Sequence, residues 1–148
     1  MATEQARGAV ERYSADDVKA WHQARGVRMT VGDVIDVNNG ESMSVGFVRY
    51  AKRAANRWTL TYDEALIVTK GVLTVETESG SRTAGVGEVI YIGRGTEVVY
   101  RGEEDAEVVY VTFPHWLDAT QRSELASQLD EYDELTKAEA DAVISGTE

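Results

Sequence analysis

Between Trp58 and Glu64 the chain reads Trp-Thr-Leu-Thr-Tyr-Asp-Glu, bringing an indole, a phenol and two carboxylates into one short stretch. Such a set can do acid–base chemistry. A carboxyl group at Glu64 or Asp63 can move a proton, and the phenol of Tyr62 can donate to a carbonyl or to an oxyanion forming there. Tyr100 and Tyr110 carry the same donor further along the chain. Arg49 and Arg57 carry planar guanidinium forks suited to a carboxylate or phosphate. The expected catalytic set is therefore Glu64, Tyr62 and Asp63. Arg49, Arg57, Trp58, Thr59, Tyr100 and Tyr110 are the expected substrate contacts. Each has a plainer alternative: Glu64 as a buried ion pair with Arg49 or Arg57, Trp58 and Trp116 as packing, Asp63 as a turn acid, the tyrosines as ordinary strand residues.

Other chemistries are excluded or unsupported. The chain of 148 residues has no cysteine, which removes disulfides, thiolate metal sites and a cysteine nucleophile. No Gly-x-x-x-x-Gly-Lys-Ser/Thr loop is present, and Gly85-Val86-Gly87 reads as a turn between strands. A net charge of −11 repels phosphate backbones and anionic lipid, so neither nucleic acid nor a membrane surface is an expected partner. Much of that charge lies between Glu124 and Asp141, in a pattern typical of a solvated face. Met1–Gly8 holds no apolar run and no later stretch approaches a membrane span, so a cytoplasmic protein is expected.

The elements that must position these residues are mainly strands. Residues 27–115 form a succession of short β-branched and aromatic segments separated by Gly, Asn and Ser turns, the pattern of an all-β sandwich or barrel. The expected strands include 43–50, 58–62, 65–69, 72–77, 88–92, 96–100 and 107–113; Glu78-Ser79-Gly80-Ser81 breaks the series, and Pro114 stops the last strand. Before it, in residues 1–26, Ser14 with Asp16 and Asp17 predicts the capped start of a short amphipathic helix carrying Trp21 and ending near Gly26. After it, in residues 116–148, Leu117, Leu125, Leu129 and Leu135 suggest one helix. Thr136 with Glu139 predicts a second, capped one.

The spacing of Glu64 and Gly71, followed by Gly87 and then Gly93-Arg94-Gly95, resembles the paired signature of the cupin superfamily. That likeness implies a single jelly-roll type β-barrel in which Glu64 points inward, Tyr62 with it and Asp63 away. Desolvation there would raise the Glu64 pKa toward the range useful for general acid–base work. It also implies metal-ligand positions near Arg57 and Thr59, or Trp58 and Leu60, and at Val98. None of these is a histidine, so no metal and no other cofactor is expected.

A closer likeness covers roughly Val34 to Trp116. The Trp58–Glu64 string, the preceding Ser44–Tyr50 and the ending Tyr110-Val111-Thr112-Phe113-Pro114-His115-Trp116 resemble the cupin domain of the ethanolamine-utilisation EutQ proteins, which lacks the metal histidines as well. Gly93 stands where the signature has proline. The residues point to a metal-independent enzyme acting on a small polar carbonyl or carboxylate metabolite inside the barrel, by isomerisation, elimination or group transfer. A non-catalytic binding or assembly protein of a microcompartment-type pathway is the first alternative. The resemblance implies a third, an acetate kinase, and cupin architecture leads us to expect a homodimer.

Overall fold

The structure, a computed structural model, describes residues 9–146. The reading of Met1–Gly8 as lacking a leader falls outside the described residues. Eleven strands form most of the regular structure among the described residues: β1 (Trp21–Ala24), β2 (Met29–Ile35), β3 (Ser44–Tyr50), β4 (Ala55–Thr59), β5 (Asp63–Lys70), β6 (Val72–Thr77), β7 (Gly80–Gly85), β8 (Val89–Ile92), β9 (Glu97–Gly102), β10 (Ala106–Phe113) and β11 (Tyr132–Leu135). Two helices, α1 (Trp116–Gln121) and α2 (Lys137–Ser145), follow β10 and β11 respectively. The strands pair antiparallel in a seven-stranded sheet, order β11-β1-β2-β3-β10-β5-β8, and a four-stranded sheet, order β4-β9-β6-β7. This is the cupin arrangement.

Strict alternation places the core. In β3, Ser44, Gly46, Val48 and Tyr50 are buried while the residues between them are not. β5 alternates likewise, turning Glu64, Leu66 and Val68 inward. β9 and β6 answer from the other sheet with Val98, Tyr100, Leu73 and Val75, and all of these belong to one hydrophobic cluster. Each fully buried aliphatic side chain contributes about 1.5–3 kcal/mol against the entropy of ordering the chain. Gly71 closes the tight β5–β6 connection. Its φ is +73°, and a Cβ there would lie 2.0 Å from the Asp105 carbonyl oxygen, so no other residue fits without backbone movement.

Three local expectations are corrected by long-range pairing. The helix expected from Ser14 to Gly26 is a single 3₁₀ turn, Ala15–Asp17; Ser14 is its N-cap as expected, and Asp17 completes a capping box with it. Trp21–Ala24 then runs as strand, because its backbone groups find partners in β11, from Trp21 opposite Leu135 to Ala24 opposite Tyr132. The helix expected through Leu117, Leu125, Leu129 and Leu135 is divided into α1, a 3₁₀ segment at Ala126–Glu131 and β11. The break expected at Glu78–Ser81 is a hairpin turn opening β7, a polar and largely exposed strand held by register with β6 from Thr77 opposite Gly80. The second C-terminal helix forms as expected, with Thr136 and Glu139 as its capping box.

The larger sheet is apolar on both faces. Outward from β3 point Val45 and Phe47, from β5 Ala65 and Ile67, from β8 Val89 and Tyr91, and from β10 Val109, Val111 and Phe113. α2 covers this outer face mainly over β1, β2 and β11, where Ala140 and Val143 are buried, and reaches β3 through the Asp141–Arg49 ion pair. Val89, Tyr91 and Phe113 stand exposed. Among the described residues no helix is long and apolar enough to cross a membrane.

Candidate functional site

Glu64 leaves the inner face of β5 and ends in a cavity of about 60 Å³ between the two sheets, lined also by Tyr132 and Trp116 from the C-terminal segment. By the rule that one water needs about 10–15 Å³ of such space, it holds roughly four or five water-sized bodies, or a ligand with a handful of non-hydrogen atoms. The lining is apolar and aromatic. Five of the seven tyrosines reach it, namely Tyr50, Tyr62, Tyr100, Tyr110 and Tyr132, together with Trp58, Trp116 and Asn56.

Hydrogen bonds fix most of these polar tips. The Tyr100 hydroxyl, from β9, donates to Glu64 Oε1 at 2.7 Å. Trp58 Nε1, from β4, donates to the Tyr62 hydroxyl at 2.7 Å. Tyr50 donates to Asn56 Oδ1, and Asn56 Nδ2 donates to the Tyr132 hydroxyl at 2.9 Å. What remains unspent defines the site. Among the described residues Glu64 Oε2 receives no donor, and the O–H groups of Tyr62 and Tyr132 have no acceptor. One carboxyl oxygen and two phenol protons are thus available to a molecule in the cavity.

Burial raises the Glu64 pKa from 4.5 to about 7, with the Tyr100 hydrogen bond holding it partly down. No basic side chain among the described residues pairs with it. The same burial, with Glu64 as a neighbouring negative charge, keeps Tyr62 and Tyr100 well above the usual phenol range, and these stay protonated donors at neutral pH.

The sequence-derived set divides cleanly. Glu64, Tyr62, Trp58, Tyr100 and Tyr110 line one cavity. Tyr62 precedes β5 rather than lying on it, yet shares the inward side with Glu64 as alternation suggested. Asp63 turns outward, where its carboxylate accepts the Arg94 backbone N–H at 2.9 Å and holds the Gly93-Arg94-Gly95 turn. Arg49 leaves the outer face of β3. It pairs with Glu107 and Asp141 at 3.3 and 3.2 Å and stacks on Trp21 at 4.8 Å. Arg57 is exposed and pairs with Glu97 at 3.1 Å. Thr59 meets Gln128 through its backbone, N–H to Oε1 at 2.9 Å and C=O to Nε2 at 3.1 Å. Neither arginine reaches Glu64, so the buried ion pair weighed as an alternative does not form.

Sequence reasoning missed four contributors. Asp33 sits on β2 in the inward phase of Met29 and Val31. It accepts from the Tyr110 hydroxyl and, at 2.9 Å, from Trp116 Nε1. Burial lifts its pKa to about 6 against the lowering effect of those donors. An acid in the apolar phase of a strand was the available signal. Tyr50 carried a similar one, as the last inward residue of β3. Asn56 and Tyr132 carried none, since their roles depend on β4 and β11 bringing the two side chains together at the cavity.

The donor set does not fit the divalent metals that many cupins hold. Around Glu64 stand phenols, an indole whose nitrogen only donates, and an amide. Among the described residues no group of three or more His, Cys, Asp or Glu side chains is placed to hold a metal ion. His115 Nε2 is engaged with the Gly40 carbonyl at 2.9 Å, and His22 lies on β1.

Residues 15–118 match the family model described as ethanolamine utilisation protein EutQ. The chain belongs to the EutQ family. It is 32% identical over 82 residues to the acetate kinase EutQ of Escherichia coli (strain K12), a match covering 55% of this chain and 35% of that protein. The chain thus spans about a third of the curated relatives' length. Among solved structures it is similar to an ethanolamine utilization protein Q from Salmonella typhimurium LT2, with a TM-score of 0.56 and 30% identity over 59% of this chain and 70% of the other. An RmlC-like cupin from Shewanella frigidimarina NCIMB 400 shares the fold alone, at a TM-score of 0.57 and 8% identity over 72% of this chain and 92% of that one.

Proposed function

We propose that this EutQ-family cupin domain is a metal-independent acid–base enzyme for a small polar metabolite with a carbonyl group. Glu64 takes and returns the proton, and Tyr62 and Tyr132 donate to the carbonyl oxygen as it gains charge. One observation carries the reading: a buried carboxyl, titrating near neutrality, keeps one oxygen free in a cavity beside an unspent phenol O–H. A base with a pKa close to the working pH combines the right protonation state with useful driving force, typically worth about 10²–10⁴ in rate. The carboxylate clamp expected of Arg49 and Arg57 has no support in this geometry, so the carbonyl part of the expectation is the part retained. Acetate kinase is the name of relatives of which this chain spans about a third. Phosphoryl transfer relies on concentrated positive charge, and the cavity lining supplies no lysine or arginine.

Proton abstraction next to a carbonyl is the first step shared by isomerisation and elimination, and it can be read without knowing the product. A panel of small ketones and hydroxyaldehydes incubated with the protein in D₂O should show deuterium entering the α position by NMR. Glu64→Gln should abolish that exchange. Exchange that survives the substitution removes Glu64 from the role.

The outer face of the larger sheet favours an assembly role alongside. Strands packed on one side only alternate apolar and polar residues, yet β3, β5, β8 and β10 are apolar outward as well. Four strands at about 4.8 Å spacing and five residues at about 3.4 Å make a flat patch of roughly 300 Å², enough for the apolar centre of a standard dimer interface. A second copy of this chain fits it. The face is apolar at its middle, with Arg49, Glu107 and Asp63 toward its ends, and a two-fold axis would bring that apolar middle against itself. Sedimentation velocity should show a dimer that Tyr91→Lys dissociates; a monomer in the wild type sinks the proposal.

A further inference from the structure

The cavity beside Glu64 is walled largely by aromatic rings and has no basic side chain in its lining. Trp58 stands edge-on to Trp116 and to Tyr132, at centroid separations of 6.0 and 5.6 Å and interplanar angles of 72° and 82°. Rings meeting so near to right angles form the corners of a box. Tyr50 and Tyr100, 6.3 Å apart and tilted by 33°, continue the wall to Glu64. Aromatic faces are the negative part of the ring quadrupole, and among the lining residues Glu64 supplies a carboxyl that titrates near neutrality. No lysine or arginine lines the space. A carboxylate buried without a counter-charge is costly, and that unmatched charge is what holds the Glu64 pKa up.

We propose that the pocket takes a small organic cation, an ammonium group on a ligand of a few non-hydrogen atoms, held by the rings of Trp58, Trp116 and Tyr132 and by the Glu64 carboxylate. This rests on the pocket being the functional site, and it adds the class of molecule that site selects. The cavity volume sets the size. The rings attract a cation by about 0.5–2 kcal/mol each where water is excluded, and the carboxylate supplies its counter-charge. Carboxylates and phosphates meet the Glu64 carboxylate with the wrong sign and find no basic side chain in the lining. The net charge of −11 enriches cations around the molecule at low salt.

Binding then couples to protons. The groups facing Glu64 are the hydroxyls of Tyr50, Tyr62, Tyr100 and Tyr110, all kept far above neutrality by burial, so they do not titrate between pH 6 and pH 8. Asp33, one side chain back through Tyr110, titrates lower, near 6. A cation needs Glu64 ionised and expels its proton on entry.

Tetramethylammonium, which has no proton of its own to lose, is the probe. It is titrated into the full chain beside tert-butanol, a neutral body of similar size, and acetate, with the indole N–H signals of the tryptophans followed by NMR. At pH 8 tetramethylammonium should bind roughly tenfold or more tighter than either. Its affinity should fall about tenfold between pH 8 and pH 6, as Glu64 regains its proton. Glu64→Gln should weaken binding at pH 8 and flatten that fall; if the variant does not fold, the wild-type pH dependence decides. Equal binding of tert-butanol, or a preference for acetate, overturns the cation assignment while leaving the proton-exchange reading intact. Indole signals unmoved by all three probes overturn both.

Discussion

Glu64→Gln should make the protein more stable at pH 8 and leave it nearly unchanged at pH 4. In the unfolded chain the carboxyl titrates near its ordinary 4.5, and in the folded protein near 7, because burial penalises the charged form. A folded value above the unfolded one means the fold favours the protonated group. Below about pH 4.5 both states hold the proton and the residue is neutral toward stability. Between 4.5 and 7 the unfolded chain has released it and the folded chain has not, so stability falls as pH rises. The loss is complete above 7. The difference of about 2.5 pH units corresponds to about 3 kcal/mol, a large part of the 5–15 kcal/mol typical of a domain. Glutamine keeps a carbonyl oxygen for the Tyr100 hydroxyl and carries no charge. Urea unfolding of both proteins at several pH values is the assay. The stability difference should grow by about 3 kcal/mol from pH 4 to pH 8, a midpoint shift of roughly 1–3 M urea. A difference independent of pH would falsify the claim that Glu64 is held uncompensated.

Three further outcomes follow from single contacts. Tyr100→Phe removes the donor that holds Glu64 down, so the Glu64 carboxyl should titrate above 7 in a ¹³C NMR titration; a lower midpoint contradicts the assignment. Asp33→Ala strands the Tyr110 hydroxyl and the Trp116 indole N–H, each worth about 1–3 kcal/mol when left unpaired, whereas Asp33→Asn retains an acceptor and should cost less by urea unfolding. Gly71→Ala should cost well over the ~1–2 kcal/mol of a left-handed residue, because its Cβ would meet the Asp105 carbonyl at 2.0 Å. Gly87→Ala, at φ +88° with open space around it, should cost only that conformational part.

The barrel was legible because alternation is a local signal with a global cause. One face of each strand is buried, so the inward residues of β3, β5, β9 and β10 announce themselves in a single sequence. Glu64 and its glycine at residue 71 were readable for the same reason, as were Tyr62, Tyr100 and Tyr110. The arginines were misread because residue type was taken as a sign of direction. Arg49 occupies the outward phase of β3, between Val48 and Tyr50, and that phase already placed it on the far side of the sheet from Glu64.

By itself the sequence determined most of the strands between β2 and β10, the tight turns and one inward carboxylate, since each depends on a period or a spacing a few residues long. Tertiary structure alone decided what surrounds that carboxylate. The apolar pattern around Trp21 and the leucines after Trp116 favoured helices, and the pairing of β1 with β11 overrode it by satisfying backbone groups more than a hundred residues apart. That pairing carries Tyr132 to the cavity, against Asn56 and Trp58. Asp33 and Trp116 meet only because β2 and α1 close on the same space. The charge of the pocket, negative with nothing to balance it, is a property of that convergence: it depends on which side chains arrive together, and no local period records it.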